Sequence, residues 1–207
     1  MKKPKIRELK EAITSLISKP YTTEFPYKEH KPFPRFRGKP KYNEEKCVGC
    51  GGCYQVCPSK AIDMIDDIEN KKRILIHNPD RCIFCGECER NCITKEGIKL
   101  TNQFDVSYLK DVNEVQNKIE HDLVICVTCG EIIGTEKHIR HIYSKLGNLA
   151  FSQPVIITEL IKKLKIPTEY EEKFVPPINR QDVLKVVCPR CRRIAFIKDE
   201  VKGPVKK

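Results

Sequence analysis

The sequence has 207 residues, enough for one domain or two small ones, and 40% hydrophobic content without tryptophan permits only a modest core. Its formal charge of +11 raises a nucleic-acid reading, but that count treats twelve cysteines as neutral; three thiolate-held metal centres at about −2 each would leave about +5. No apolar run approaches the roughly 18 residues needed to cross a bilayer, and Glu8, Lys10 and Glu11 interrupt the stretch where a secretory h-region would lie. The chain therefore reads as cytosolic, with reduced thiols available to metal.

In chain order, residues 1–42 come first. Ile6, Leu9, Ile13, Leu16 and Ile17 recur at helical spacing over 6–19, and Pro20 ends the run. The stretch "PYTTEFPYKEHKPFPRFRGKPKY" (20–42) carries five prolines and six aromatics, which forbids a helix and predicts an extended strap. Most of the residual basicity lies in the tails, at Lys2, Lys3, Lys5, Arg7 and Lys10 and at Lys202, Lys206 and Lys207.

Residues 43–105 hold an internal repeat. "CVGCGGCYQVCPSKAIDMI" aligns with "CIFCGECERNCITKEGIKL", with Gly51 matching Gly86 and Lys60 matching Lys95. Each copy predicts a ligand loop, a short helical turn and a short strand, at 61–65 and 97–101, with 73–77 as the strand entering the second copy. Such a pair packs as a pseudo-twofold α+β ferredoxin-like domain, too small to stand without its metal.

Cysteines three residues apart suit a metal better than a strained disulfide loop. The C-x2-C-x2-C-x3-C-P run is that of bacterial ferredoxins, in which three thiolates bind one 4Fe–4S cubane and the fourth crosses to the other. Carried over by position, cluster one takes Cys47, Cys50, Cys53 and Cys92, and cluster two takes Cys82, Cys85, Cys88 and Cys57. Glycines 49, 51, 52 and 86 allow the backbone to approach the clusters. Ile93 replaces the proline found at Pro58 in the first copy; it keeps a backbone N–H and costs no ligand. No dinucleotide or Walker motif accompanies the cysteines, so the chain reads as a non-catalytic electron relay.

Residues 106–207 read as helical segments, over 131–146 and 155–166, between two further pairs, Cys126/Cys129 and Cys188/Cys191. Gly147 and Pro167 serve as stop signals. Each pair resembles half of a zinc ribbon, so the region predicts a zinc-ribbon-like four-cysteine site with inserted helices. The 58 residues between the pairs exceed the usual spacing, and mononuclear iron, a third cluster or unligated pairs remain open. His138 and His141 read as surface residues of a basic helix, and His121 as unremarkable.

The order of N-terminal helix, "YTTEFPYKEHKPFPRFRGKPKY" strap and "CVGCGGCYQVCP…CIFCGECERNC" resembles the two-cluster ferredoxin subunit shared by respiratory complex I and membrane-bound nickel–iron hydrogenases. Thr22, Phe25, Pro26 and Phe36 to Pro40 carry the likeness beyond the cysteines. The trailing half, with its two separated C-x2-C pairs, is similar to the corresponding subunit of formate hydrogenlyase. That resemblance implies a peripheral subunit on the cytoplasmic side of the membrane. It would relay electrons to or from the cluster of a small subunit, beside a large subunit and a membrane arm. Soluble ferredoxin or a formate dehydrogenase module would be the donor. A complex I-like subunit feeding quinone and a freely diffusing polyferredoxin are the alternatives within electron transfer. Outside it stands a metal-bearing nucleic-acid binder, which would lose affinity steeply with salt; no nucleic-acid partner is expected.

Overall fold

The computed structural model describes residues 5–19, 22–108, 111–163 and 186–198. Pro20, Pro167, Lys2, Lys3, Lys202, Lys206 and Lys207 lie outside the described residues. The chain divides into two compact units, 1–36 and 37–207.

In the first unit α1 spans Ile6–Ile17. The Glu8 carboxylate accepts from the Lys5 amide at 3.0 Å, closing the N-terminus, and Arg7 pairs with Glu11 one turn on. Nothing in α1 is buried: its apolar stripe of Ile6, Leu9, Ile13, Leu16 and Ile17 is 51–89% exposed. Residues 22–36 form turns and extended chain, with Tyr27 and Phe33 exposed.

The second unit opens with β1 (Pro40–Tyr42) and α2 (Gly52–Gln55), followed by the hairpin of β2 (Ile62–Asp67) and β3 (Lys72–His77). After these come α3 (Glu87–Arg90) and β4 (Ile98–Leu100). β1 pairs antiparallel with β4, and β2 with β3. Each pair joins the strand entering one copy to the strand leaving the other, which is the expected pseudo-twofold. The repetition reaches single dihedrals: Gly51 and Gly86 have φ of 76° and 82°, and Lys60 and Lys95 have 51° and 60°. Tyr42, Ile62, Leu75, Ile98 and Ile119 form the core together with Cys47, Cys53 and Cys88. Each fully buried aliphatic side chain contributes about 1.5–3 kcal/mol, so a core this small leans on what its cysteines hold.

The strap joins this unit at Gly38. Its N–H donates to the Thr101 carbonyl at 2.9 Å, and that of Lys39 to the Gln103 carbonyl at 2.8 Å. A Cβ at Gly38 would fall 2.3 Å from the Gln103 oxygen, which explains the glycine of the "FRGKP" stretch.

The sheet does not end near residue 105. A nine-residue strand, β5 (Asn117–Ile125), pairs with β3, and β6 (Ile132–Thr135) pairs with β5, giving the order β2-β3-β5-β6. The helix expected over 131–146 therefore begins later. Ile132 and Ile133 join the ladder, and α4 (Glu136–Leu146) starts only after Thr135, whose side chain accepts from the His138 amide at 3.3 Å. Gly147 ends α4, as expected. A 3-10 turn (Gly147–Ser152) leads to α5 (Pro154–Lys163); the rest of the expected 155–166 helix is outside the described residues. Val124, Ile139, Ala150, Ile156 and Val186 make a second core. The final helix is α6 (Pro189–Lys198).

Candidate metal centres

Each copy of the repeat curls its first three cysteines around a tight loop. Residues Gly49 and Phe84, two after the first cysteine, both take left-handed backbone, with φ of 65° and 52°. That geometry turns N–H groups toward sulfur. The Phe84 amide lies 3.4 Å from Cys82 Sγ, the Gly52 amide 3.5 Å from Cys50 Sγ, and the Ala61 amide 3.2 Å from Cys57 Sγ. Hydroxyls stand beside the fourth cysteines, Ser59 Oγ at 3.7 Å from Cys57 Sγ and Thr94 Oγ1 at 3.3 Å from Cys92 Sγ.

Two small cavities result. Cys47, Cys50, Cys53 and Cys92 line the first, together with Tyr42 and Ile98. Cys57, Cys82, Cys85 and Cys88 line the second, with His77 and Ile62. All eight are free thiols. The fold thus brings together three cysteines of one copy and one of the other, twice.

Burial raises the thiols of Cys47 and Cys82, and pushes Cys53 up to about 12 and Cys88 to about 11. Burial also acts upward on Cys92, but hydrogen bonds from Thr94 and from the Gly97 and Ile98 backbone outweigh it and leave the thiol lowered. Apolar walls, four thiols per cavity and inward N–H groups are what an iron–sulfur cubane needs, because it brings cationic iron to neutralise thiolate and takes hydrogen bonds on sulfur. Each quartet could hold a 4Fe–4S cluster, which supplies one-electron redox chemistry when bound.

The C-terminal region packs directly on the first loop. Gly49 lies under the ring of His121 in β5, and Thr135 donates its hydroxyl to the Val48 carbonyl. Lys137 donates to the Glu44 carbonyl at 2.7 Å, and Arg73, held by a two-point ion pair to Asp66, reaches the Gly49 carbonyl at 3.1 Å. His121 is thus not the unremarkable residue expected: it is 3% exposed, and burial together with the Lys137 charge holds it down to about 4. His138 and His141 are half-buried on α4.

The remaining four cysteines also meet. Cys126 closes β5 and Cys129 lies in the turn to β6, where the Gly130 amide donates to the Cys126 carbonyl at 2.9 Å. Val127 bonds the Val186 carbonyl at 3.0 Å, which brings up Cys188 and Cys191. This second pair opens α6 rather than sitting on a β-knuckle, a departure from the expected ribbon half-site: the Arg192 amide donates to the Cys188 carbonyl in a helical turn. All four sulfurs lie within 4.8 Å of one another, with Cys129 and Cys188 at 3.6 Å. Four sulfurs about 2.3 Å from one tetrahedral ion would be about 3.8 Å apart.

Their electrostatics fit a cation. Burial would raise Cys126, but backbone hydrogen bonds from Cys188, Cys129 and Thr128 bring it down to about 6. Cys191 is pushed well above the thiol range by burial and by Cys129, Cys188 and Cys126 beside it. Four thiolates cannot collect here without a positive ion.

Sequence spacing grouped all twelve cysteines that the fold assembles, but missed Tyr42 and His77. The signal was present: each stands five residues before the first cysteine of its copy, Cys47 or Cys82. Arg37 was read only as part of the strap, yet its Nη1 donates to the Cys85 carbonyl at 3.1 Å.

Residues 30–95 match the 4Fe-4S dicluster domain family, so the chain carries a mixed α/β dicluster ferredoxin domain. NADH-quinone oxidoreductase subunit I of Carboxydothermus hydrogenoformans is 43% identical over 61 residues, 28% of this chain and 44% of that protein. NAD(P)H-quinone oxidoreductase subunit I of Thermosynechococcus vestitus is 36% identical over 61 residues, 28% of this chain and 31% of its own length. The match thus spans less than half of either relative. A chain of the membrane-bound sulfane sulfur reductase, an archaeal respiratory membrane complex, aligns at 29% identity over 54% of this chain and 60% of that one. Its TM-score of 0.39 is too low to count as a shared fold.

Proposed function

We propose that this chain is the electron-relay subunit of a multisubunit respiratory membrane complex, carrying two 4Fe–4S clusters and one structural zinc. Cluster one is held by Cys47, Cys50, Cys53 and Cys92, and cluster two by Cys57, Cys82, Cys85 and Cys88. The observation that carries this reading is the pair of cysteine quartets, each drawn from both halves of the repeat. Zinc at Cys126, Cys129, Cys188 and Cys191 is supported by the gathering of their four sulfurs within 4.8 Å of one another, from two segments distant in the chain.

The identity to subunit I of the quinone oxidoreductases supports a complex I-like assembly, with the clusters passing single electrons toward a neighbouring subunit. The four-cysteine site beyond the dicluster domain favours a second form, a nickel–iron hydrogenase complex of the formate hydrogenlyase type. In either, the exposed stripe of α1 supports peripheral docking on the cytoplasmic face of the membrane or on a partner subunit. Among the described residues no helix is long and apolar enough to cross a membrane.

Anaerobic purification with metal and sulfide analysis tests this. The expected content is about eight irons, eight labile sulfides and one zinc per chain, with two reducible EPR components. A sample with no inorganic sulfide and no signal after dithionite would refute the relay. Co-purifying partners decide between the quinone and hydrogenase forms.

A further inference from the structure

The cavity of cluster two contains a polar group with nothing to bond. His77 ends β3 with 1% of its surface exposed, and its ring lines the cavity beside Cys57, Cys82, Cys85 and Cys88. Neither Nδ1 nor Nε2 has a hydrogen-bond partner among the described residues. Besides the cysteines and Gly86 the lining is apolar at Pro40, Ala61, Ile62, Ile83, Phe84 and Leu100, and its one other hydroxyl, on Ser59, stands 3.7 Å from Cys57 Sγ. In either protonation state the ring carries at least one N–H donor. A buried donor left without a partner is costly, whereas an apolar side chain of similar size would carry no such cost.

We infer that the His77 N–H donates a hydrogen bond to sulfur of cluster two, favouring the reduced state of that cluster. The inference rests on the two-cluster ligation proposed above. Reduction adds negative charge to the cluster, and a fixed donor in an apolar cavity binds the more negative state better, so the potential rises. The pseudo-twofold gives an internal comparison. At the matching place on β1 stands Tyr42, whose hydroxyl faces Cys53 in the other cavity. One fold therefore offers its two clusters chemically different donors, an imidazole and a phenol, from equivalent strand positions. Nothing in the cysteine pattern, which is the same in both copies, would separate their potentials in this way.

The test is an EPR-monitored redox titration of the full-length, cluster-loaded protein, wild type against His77→Leu and His77→Gln. In His77→Leu one of the two reduction waves is expected to move to lower potential. Its reduced-to-oxidised ratio at the wild-type midpoint should fall about tenfold, about 59 mV for a one-electron couple. The other wave should stay in place, and His77→Gln, which keeps an N–H, should recover part of the shift. Pulsed EPR of wild-type protein labelled with 15N-histidine should show nitrogen coupling at one reduced cluster, a signal that a packing role would not produce. If His77→Leu does not take up iron, the labelled spectrum decides alone. Two waves that both stay in place, two that move together, or no histidine coupling at either cluster would overturn the inference. Failure to find two cluster signals in wild-type protein would instead remove the ligation beneath it.

Discussion

The imidazole of His121 lies so close to Gly49 that a Cβ there would fall 2.6 Å from its Cδ2. The strand contributed by the C-terminal region therefore presses on the backbone of the first ligand loop. Gly49 meets both demands at once, taking φ of 65° and leaving room for the ring. At the matching place in the second copy, Phe84 adopts φ of 52°.

Gly49→Ala is consequently expected to cost about 2–4 kcal/mol, from overpacking together with left-handed strain. Iron content should fall toward four per chain as cluster one is lost, and the EPR component of cluster two should persist. Phe84→Gly, made as a control, should keep both clusters.

Double substitutions test the crossed ligation without assigning any signal beforehand. Cys57→Ser together with Cys82→Ser strikes one cavity twice and should lose no more iron than either change alone. Cys57→Ser together with Cys47→Ser strikes both cavities and should lose both clusters. Iron and sulfide counts read the difference, and the reverse pattern would indicate that each motif binds its own cluster.

Removal of the metal proposed at the C-terminal four cysteines should be felt in the first loop. Cys126 follows β5 directly, and β5 and β6 carry His121 and Thr135 onto Gly49 and Val48. Cys188→Ser is expected to release one zinc and lower the thermal midpoint. A loss of about 4 kcal/mol would correspond to roughly 8–16 °C at this chain length. Cluster one should then decay faster in air than cluster two, as followed by bleaching of visible absorbance.

Acid should weaken the fold through His121. Its folded value lies near 4, below the value of about 6.5 in the unfolded chain, so the unfolded state binds the proton first. The stabilising contribution is complete above about pH 6.5 and is lost as the pH falls toward 4. Its size is on the order of 2 kcal/mol after allowance for relaxation. Urea midpoints measured anaerobically across that window should fall less steeply in His121→Leu than in the wild type.

How far the sequence discloses all this depends on the kind of signal. Cysteine offsets are rigid chemistry, and Cys47 to Cys92 could be sorted into two sets because few backbones place thiols that way. The pairs Cys126/Cys129 and Cys188/Cys191 could be matched by type despite the 58 residues between them. The helical geometry at Cys188 could not be foreseen, because a C-x2-C pair fits the first turn of a helix as well as a hairpin turn. Of β5 only the end, the short β-type apolar run before Cys126, is legible in the sequence, for a different reason. Ile119, His121 and Leu123 alternate toward the core, but a histidine reads as polar until burial proves otherwise. Ile132 and Ile133 fit the helical period as well as the strand period, and only the pairing of Ile132 with Ile125 of β5 decides between them.

The same strand has a bearing on how the chain could be shortened. With β5 in place, every backbone group along that side of β3 has a neighbour from Lys72 to His77. A version cut back to the repeat would bare six residues of ladder to any passing chain, so the expected product is self-association instead of a minimal carrier.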